Sequence, residues 1–369
     1  MFVLFTQALA LVSAAAIPRR AVLTMPVVAS AATRVQPAMA SATNRAFSHE
    51  LTSVEALGVT VPVAIWRPAS GTDASSAPES YPYKIDIGKI ATKLRVGWLG
   101  WLPSFPSDLP CGAEPYSPID GFSRARAGDH LLFAHGFLGS VYDFAHAAEQ
   151  LAADGFTVVA PELPESLSAS YIPPEGLGRE EIINAARTLV EADASGGTRW
   201  GIWGHSAGAG SALMQPGEYA LGRACFAGGA GRLAQTTVTD PLFICSSNGD
   251  GCNAFMAKGV DDLRSLIASD AAQTTLFESV GSAYAAPGRK PRRGAFVFAS
   301  DNTPAPLPCH ISFLWREVDE AMIGLLSPLL PLAKALGLFL LDFDVYLDTR
   351  DADKTAQAIV PALRRFFLA

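Results

Sequence analysis

The sequence predicts an α/β fold in which a mostly parallel, doubly wound sheet carries helices on both faces. Short apolar runs that resemble buried strands alternate with stretches that resemble helices, which is typical of a parallel sheet covered on both sides. One such run leads into Gly204-His205-Ser206-Ala207-Gly208 and then into a small-residue stretch that can begin a helix. The composition, 49% hydrophobic and 17% charged residues among 369, is that of a globular protein with a large core.

The first 49 residues indicate a targeting leader. Met1 to Ile17 is an apolar run, and Arg19 to His49 contains four arginines and no acidic residue. A hydrophobic signal followed by a transit-like segment resembles the bipartite leader that carries proteins through the secretory route into plastids. A plain secreted protein or an ordinary transit peptide is the alternative. Residues 50–369 show neither a second composition regime nor an internal repeat, so we predict one domain there.

The elements of that domain can be predicted in order. Val59 to Trp66 alternates and predicts a strand of an early antiparallel hairpin, Gly71 to Ser80 predicts a loop, and Lys84 to Leu102 predicts a helix. The strand-like runs that follow are His130–Ala134, Phe156–Ala160, Trp200–Trp203, Ala224–Ala227, Leu242–Cys245 and Ala295–Ala299. The helical patterns between them are Val141–Asp154, Arg179–Asp193 and Val260–Ala268.

The G-x-S-x-G motif stands in the strand–turn–helix context that a serine nucleophile requires. A nucleophilic serine must stand on a very tight turn, which leaves no room for side chains two positions to either side. Gly204 and Gly208 occupy those positions, so the hydroxyl of Ser206 can be presented clear of the backbone. We therefore predict that Ser206 is a nucleophile.

A serine nucleophile needs a base and an acid that orients the base. His310 is the predicted base, because it lies in the loop after the last strand, whereas the ring of His205 should point away from the nucleophile. Asp250 is the predicted acid, because it directly follows the strand-like run that begins at Leu242. Asp301, just after the last strand, is the alternative, and Asp240 lies at the wrong end of its strand.

The oxyanion formed in such a reaction needs hydrogen-bond donors. We predict the backbone N–H groups of Phe137 and Ala207, because the second donor of this architecture comes from the turn after the third strand. Gly136 lets the backbone in that turn approach a substrate closely. Neither a metal nor an organic cofactor is needed for this chemistry.

The formal net charge of −7 and the lack of a basic stripe argue against nucleic acid as a partner. The five cysteines show no metal-ligand spacing. Cys225 and Cys245 fall in strand-like runs and should be free and buried. A disulfide among Cys111, Cys252 and Cys309, which lie in predicted loops, is left open.

With these positions fixed, the sequence resembles the platelet-activating-factor acetylhydrolase and chlorophyllase branch of the α/β-hydrolases, from roughly Val54 to the C-terminus. The matching stretches are Leu131–Ser140, Leu151–Glu162, Leu167–Tyr171, the Gly204–Gly208 motif and Cys309–Phe313. The resemblance implies an α/β-hydrolase fold and a Ser-His-Asp esterase. One departure is that the acetylhydrolases place their acid after the strand equivalent to Ala224–Ala227, where this chain has Gly228-Gly229-Ala230-Gly231.

The predicted substrate is a lipophilic small-molecule ester, with contact to a membrane surface as a further expectation. Ile323 to Leu341 is strongly apolar with one charge and two prolines, which indicates a buried helix or an apolar flap more than a membrane span. Trp98, Leu99, Trp101 and Leu102 could form a companion surface. The resemblance implies either a phospholipid acetylhydrolase or a chlorophyllase, and a catalytically inactive binding module is the alternative of another class. The sequence leaves the oligomeric state open.

Overall fold

The computed structural model describes residues 46–69, 80–93, 100–112, 116–168, 170–192, 197–228, 238–250, 274–280, 284, 288, 293–326 and 352–369. Most of the predicted leader, the predicted helix at 260–268, Cys252 and residues 327–341 of the apolar stretch lie outside these ranges, as do Trp98 and Leu99.

The described strands form a nine-stranded sheet and a separate two-stranded hairpin. The strands of the large sheet are β1 (Phe47–Ala56), β2 (Val59–Pro68), β5 (Asp129–Ala134), β6 (Thr157–Pro161), β7 (Arg199–His205), β8 (Gly222–Phe226), β9 (Leu242–Ser247), β10 (Thr274–Leu276) and β11 (Arg293–Phe298). The hairpin consists of β3 (Ser80–Asp86) and β4 (Ser104–Pro110). All six strand runs that the sequence analysis placed in the parallel sheet are strands here, with ends shifted by at most two residues.

The spatial order of the large sheet is β1-β2-β6-β5-β7-β8-β9-β11-β10. The β1–β2 and β2–β6 pairs are antiparallel, whereas every pair from β6 to β10 is parallel. Because parallel neighbours end at the same edge, the segments after β5, β7, β9 and β11 come together there. The predicted antiparallel hairpin and the mostly parallel sheet are both confirmed.

Helices cover both faces of the sheet. The described helices are α1 (Ile87–Lys93), α2 (Ala145–Ala153), α3 (Arg179–Glu191), α4 (Ala207–Met214), α5 (Arg316–Leu326) and α6 (Ala352–Leu368). Helices α2 and α6 pack in one apolar cluster, while α3 and α4 pack in two clusters on the other face. Strand β5 supplies both sides, since Leu131 and Phe133 belong to the first cluster and Leu132 and Ala134 to the second, as alternating strand side chains require.

One predicted boundary was wrong. The helix predicted from Lys84 to Leu102 covers only Ile87–Lys93 among the described residues, because the chain before it is the strand β3 and β4 begins at Ser104. Strand β1 begins at Phe47, where it pairs with Pro68. Residues 47–49 therefore belong to the sheet, although the predicted leader included them.

Four cysteines lie among the described residues, and all are buried: Cys111, Cys225, Cys245 and Cys309. Cys225, Cys245 and Cys309 are free thiols. The prediction for Cys225 and Cys245 is therefore confirmed. Burial raises the pKa of Cys225 to about 12, so its thiol stays protonated at neutral pH. No helix in the described part of the chain has both the length and the apolar character that crossing a membrane requires.

Candidate active site

Ser206 lies on the sharp turn between β7 and α4. Its backbone angles are φ 55° and ψ −121°, a conformation that a residue with a side chain adopts only under constraint. The constraint is visible in the chain on either side. The N–H of Ser206 donates to the carbonyl of Phe226 on the neighbouring strand (2.9 Å), and the Ser206 carbonyl accepts the N–H of Ala209 (3.1 Å). The residue is only partly buried.

The two motif glycines are needed for close approach of the backbone. A Cβ added to Gly204 would collide with the carbonyl oxygen of Gly208, and one added to Gly208 would collide with the carbonyl of Ala134 on β5. Side chains at these positions would push α4 away from the sheet and open the turn. The predicted reason for glycine at both positions is confirmed.

His310 and Asp250 lie side by side at the carboxyl edge of the sheet. Nδ1 of His310 is 3.0 Å from Oδ1 and 3.0 Å from Oδ2 of Asp250. Both side chains are buried, with 4% of His310 and 7% of Asp250 exposed. The carboxylate can only accept, so Nδ1 carries the hydrogen, and in the neutral ring Nε2 has a lone pair.

The turn after β9 places Asp250. The N–H of Asp250 donates to the carbonyl of Ser247 (3.2 Å), and the N–H of Gly249 donates to Oγ of the same serine (3.0 Å). A Cβ at Gly249 would lie 2.8 Å from the Leu307 carbonyl oxygen, so this turn lies directly against the segment that precedes His310.

The two competing carboxylates lie elsewhere. Asp240 accepts a 2.7 Å hydrogen bond from Nε of Arg223 and another from the N–H of Tyr219 (3.1 Å). Asp301 is exposed in the turn after β11. Of the three carboxylates weighed from the sequence, the structure brings Asp250 to His310.

The turn after β5 lies against the serine turn. A Cβ added to Gly136 would be 3.2 Å from Cβ of Ser206 and 3.2 Å from Nδ1 of His205, so only the bare backbone fits without displacement. The next residue, Phe137, is partly exposed, as is Ala207. Ala207 is the first residue of α4, so its N–H has no acceptor within the helix. Both predicted oxyanion donors therefore belong to segments that flank Ser206.

His135 fixes the shape of this turn through hydrogen bonds of its side chain and of its backbone carbonyl. The N–H of Leu163 donates to Nε2 (2.8 Å), so Nδ1 carries the hydrogen and donates to the carbonyl of Gly136 (2.8 Å). Arg179, at the start of α3, donates from Nη1 to the His135 carbonyl (2.8 Å). These contacts fix the backbone of His135 and Gly136. The next N–H along the chain is that of Phe137, the predicted oxyanion donor.

Asp143 connects the same turn to the segment that carries His310, which we call the histidine segment. Its Oδ1 accepts from both the N–H (2.9 Å) and the hydroxyl (2.8 Å) of Ser140, while its carbonyl accepts the N–H of Trp315 (2.8 Å). Its Oδ2 is buried without a hydrogen-bond partner among the described residues. Burial raises the pKa of Asp143 to about 7, although the bonds from Ser140 act in the opposite direction.

Sequence reasoning assigned no role to Asp143 and expected only that the ring of His205 points away from Ser206. Nε2 of His205 lies 2.9 Å from the carbonyl oxygen of His310. The position of His205 inside the motif was visible in the sequence. Its contact was not, because the partner lies 105 residues further along the chain.

Comparison with known proteins agrees with the architecture. The sequence profile of the alpha/beta hydrolase fold matches residues 129–219, from β5 to just beyond α4. Comparison with curated proteins gave no significant match. Together with the sheet order and the serine turn, the profile match shows that the chain has the predicted α/β-hydrolase fold.

Three solved structures illustrate the similarity. A lidless α/β serine hydrolase from Xanthomonas campestris is 13% identical, with a TM-score of 0.38 over 76% of this chain and 94% of that one. A ferulic acid esterase from Streptomyces cinnamoneus is 15% identical, with a TM-score of 0.44 over 89% and 91%. An epoxide hydrolase from Vigna radiata is 15% identical, with a TM-score of 0.25, and the match spans 53% of this chain and 39% of that one.

Proposed function

We propose that the chain is a serine carboxylic-ester hydrolase of the platelet-activating-factor acetylhydrolase type, acting on lipophilic esters such as 1-alkyl-2-acetylglycerophosphocholine. One observation carries the reaction type. The buried pair of His310 and Asp250 lies at the same sheet edge as Ser206, whose strained turn presents its hydroxyl.

In the first half of the reaction, Oγ of Ser206 attacks the ester carbonyl carbon. His310 takes the serine proton on Nε2, because Nδ1 already donates to Asp250. The negative charge that develops on the carbonyl oxygen is stabilised by the N–H groups of Phe137 and Ala207. Backbone donors fixed in advance suit this task, since they need no reorganisation when the charge appears.

In the second half, the tetrahedral intermediate collapses and the bond to the alcohol oxygen breaks. The departing alkoxide takes the proton from Nε2 of His310, which leaves an acyl group on Ser206. His310 then removes a proton from water, and the resulting hydroxide attacks the acyl carbonyl. The bond from the acyl carbon to Oγ then breaks, and Oγ takes the proton back from Nε2 of His310 as the acid is released. No external electron donor or metal ion enters this balance.

The lipophilic substrate rests on the sequence resemblance and on one surface feature. Trp101, just before β4, is 75% exposed, and Phe105, within β4, is 42% exposed. An exposed tryptophan is favoured where protein meets a lipid–water boundary. The two exposed side chains support contact with a membrane or micelle surface.

A chlorophyllase that cleaves the phytyl ester of chlorophyll is the second candidate. It is favoured by the stretch from Gly155 to Glu162, which resembles the corresponding sequence of chlorophyllases. This stretch contains β6, which pairs with β5. The plastid leader predicted from the sequence would suit that substrate.

Labelling with a fluorophosphonate probe tests whether the chain is an enzyme. We expect the wild-type chain to be labelled and Ser206→Ala to remain unlabelled. Ser211→Ala is the matched control, because Ser211 lies one helical turn further along α4 and its hydroxyl donates to the carbonyl of Ala207. An unlabelled wild type would overturn the hydrolase and favour a non-catalytic binding module.

Substrate comparison then separates the two esterases. We expect a phosphatidylcholine with an acetyl group at the second position to be hydrolysed faster than both a long-chain phosphatidylcholine and chlorophyll. Turnover of chlorophyll above that of the acetyl lipid would replace the leading proposal with the second candidate.

A further inference from the structure

His205 joins the nucleophile turn to the histidine segment. It ends β7, directly before Ser206, and only 3% of it is exposed. Its Nε2 lies 2.9 Å from the main-chain carbonyl oxygen of His310, and the two imidazole rings are 4.7 Å apart between centroids. The ring therefore contacts the backbone of the proposed base.

The direction of this hydrogen bond follows from its partners. A carbonyl oxygen only accepts, so Nε2 of His205 carries the hydrogen and donates. Burial first, and then the nearby charge of His310, lower the pKa of His205 to about 3. His205 therefore stays neutral while His310 gains and loses a proton, and it adds no charge that would oppose the imidazolium.

The segment that carries His310 is short and buried. It is a single 3₁₀ turn, His310–Phe313, between a loop and α5. Asp250 holds the His310 side chain, and Asp143 holds the backbone at Trp315, five residues further on. The bond from His205 is the one among these that fixes the backbone of His310 itself.

His205 is also held from the other side. The backbone of Gly136 lies so close that a Cβ there would be 3.2 Å from Nδ1 of His205. The imidazole thus lies between the turn at Gly136 and the segment that carries His310. A movement of this ring would change the distances between the turn at Gly136, the segment that carries His310, and Ser206.

We propose that His205 is a positioning residue, which sets the location of His310 relative to Ser206 by donating from Nε2–H to the His310 carbonyl. This role rests on the proposed esterase function, since it matters for catalysis only where His310 transfers the serine proton. Displacement of a catalytic group by about 1 Å can cost on the order of a hundredfold in rate.

Two replacements of similar size separate positioning from packing. His205→Gln keeps an N–H donor at about the reach of Nε2, whereas His205→Leu fills the space without one. We expect the leucine variant to lose roughly tenfold to a hundredfold in kcat with little change in KM, and the glutamine variant to recover most of that loss. Thermal unfolding of both variants reports whether each still folds.

A readout that does not depend on activity completes the test. The downfield proton resonance of the His310–Asp250 hydrogen bond should persist in the wild type and the glutamine variant and broaden or disappear in the leucine variant. Equal kcat and equal resonances in two folded variants would overturn the positioning role. If the leucine variant does not fold, a glutamine variant with wild-type stability but the full loss in kcat would also overturn it. A wild type that fluorophosphonate does not label would overturn the esterase instead, and the resonance would still report on His205.

Discussion

Nδ1 of His310 lies 3.0 Å from each carboxylate oxygen of Asp250, although sixty residues separate the two in the chain. The contact depends on the parallel sheet, because β9 and β11 are adjacent and their carboxyl ends meet at one edge. The sequence left Asp250 and Asp301 as candidate acids, and Asp250 is the one of the two that contacts His310.

Asp250→Asn should reduce kcat by on the order of 10⁴, with a small change in KM. A neutral amide does not stabilise the imidazolium of His310 and permits the wrong tautomer, which is the behaviour of the equivalent change in the Ser-His-Asp template. Steady-state hydrolysis of a soluble acetyl ester measures the loss. Asp301→Asn is the matched control and should leave kcat unchanged. A large loss in the control with none at Asp250 would transfer the acid role to Asp301.

Gly136→Ala should lower kcat roughly tenfold to a hundredfold without unfolding the protein. The added methyl would lie 3.2 Å from both Ser206 Cβ and His205 Nδ1, so the turn must shift and move the N–H of Phe137. Fluorophosphonate labelling rate and kcat should fall together. Gly197→Ala is the control, because a Cβ there meets no atom within 4 Å. Unchanged labelling in Gly136→Ala would argue against an oxyanion site at this turn.

The parts of the site that sequence predicted share one property, which is that their signals are local. The glycines around Ser206 are dictated by the turn itself, and the order of strands and helices follows from hydrophobic periodicity. His310 and Asp250 required one further step, the rule that parallel strands end at a common edge. Each of these inferences uses residues close together in the chain or a rule of sheet topology.

The parts that were missed depend on contacts between distant segments. Residues 80–86 form a strand because they pair with β4, and their buried side chains alternate as Tyr81, Tyr83 and Ile85. The helical pattern predicted from Lys84 overlooked that pairing, since an isolated stretch does not reveal its partner. The bond from His205 to the His310 carbonyl escaped notice for the same reason.

Asp143→Asn should change how stability depends on pH. The pKa of Asp143 is raised from 3.8 to about 7 in the folded chain, so the unfolded chain ionises first as pH rises. Folding stability should therefore fall by about 1.4 kcal/mol per pH unit between pH 4 and 7 from this group and level off above. The asparagine variant lacks that decline, and its stability relative to wild type should improve by roughly 4 kcal/mol from pH 4 to pH 8.

Chemical denaturation of both proteins at several pH values measures this difference. Asp120→Asn is the control. It replaces an exposed carboxylate in the loop before β5 and should leave the wild-type pH dependence unchanged. A pH-independent difference between Asp143→Asn and wild type would show that the buried carboxylate does not titrate as expected.

His146→Phe should make the protein less sensitive to acid. Burial lowers the pKa of His146 to about 3, and neither ring nitrogen has a hydrogen-bond partner among the described residues. As pH falls below 6.5, the unfolded chain takes up a proton that the folded chain refuses. The stability that neutral His146 contributes is therefore fully present above pH 6.5. It should fall by about 1.4 kcal/mol per pH unit as the pH falls from 6.5 toward 3.

Phenylalanine keeps the ring that lies against Trp315, at a centroid distance of 6.3 Å, but cannot take up the proton. The slope of unfolding free energy against pH between 6 and 4 should therefore be shallower in the variant by about 1.4 kcal/mol per unit. A measurement at pH 8, where the histidine is neutral in both states, isolates the packing change of the substitution. Parallel curves for the two proteins below pH 6 would mean that the folded chain protonates His146 after all, by opening the contact between α2 and Trp315.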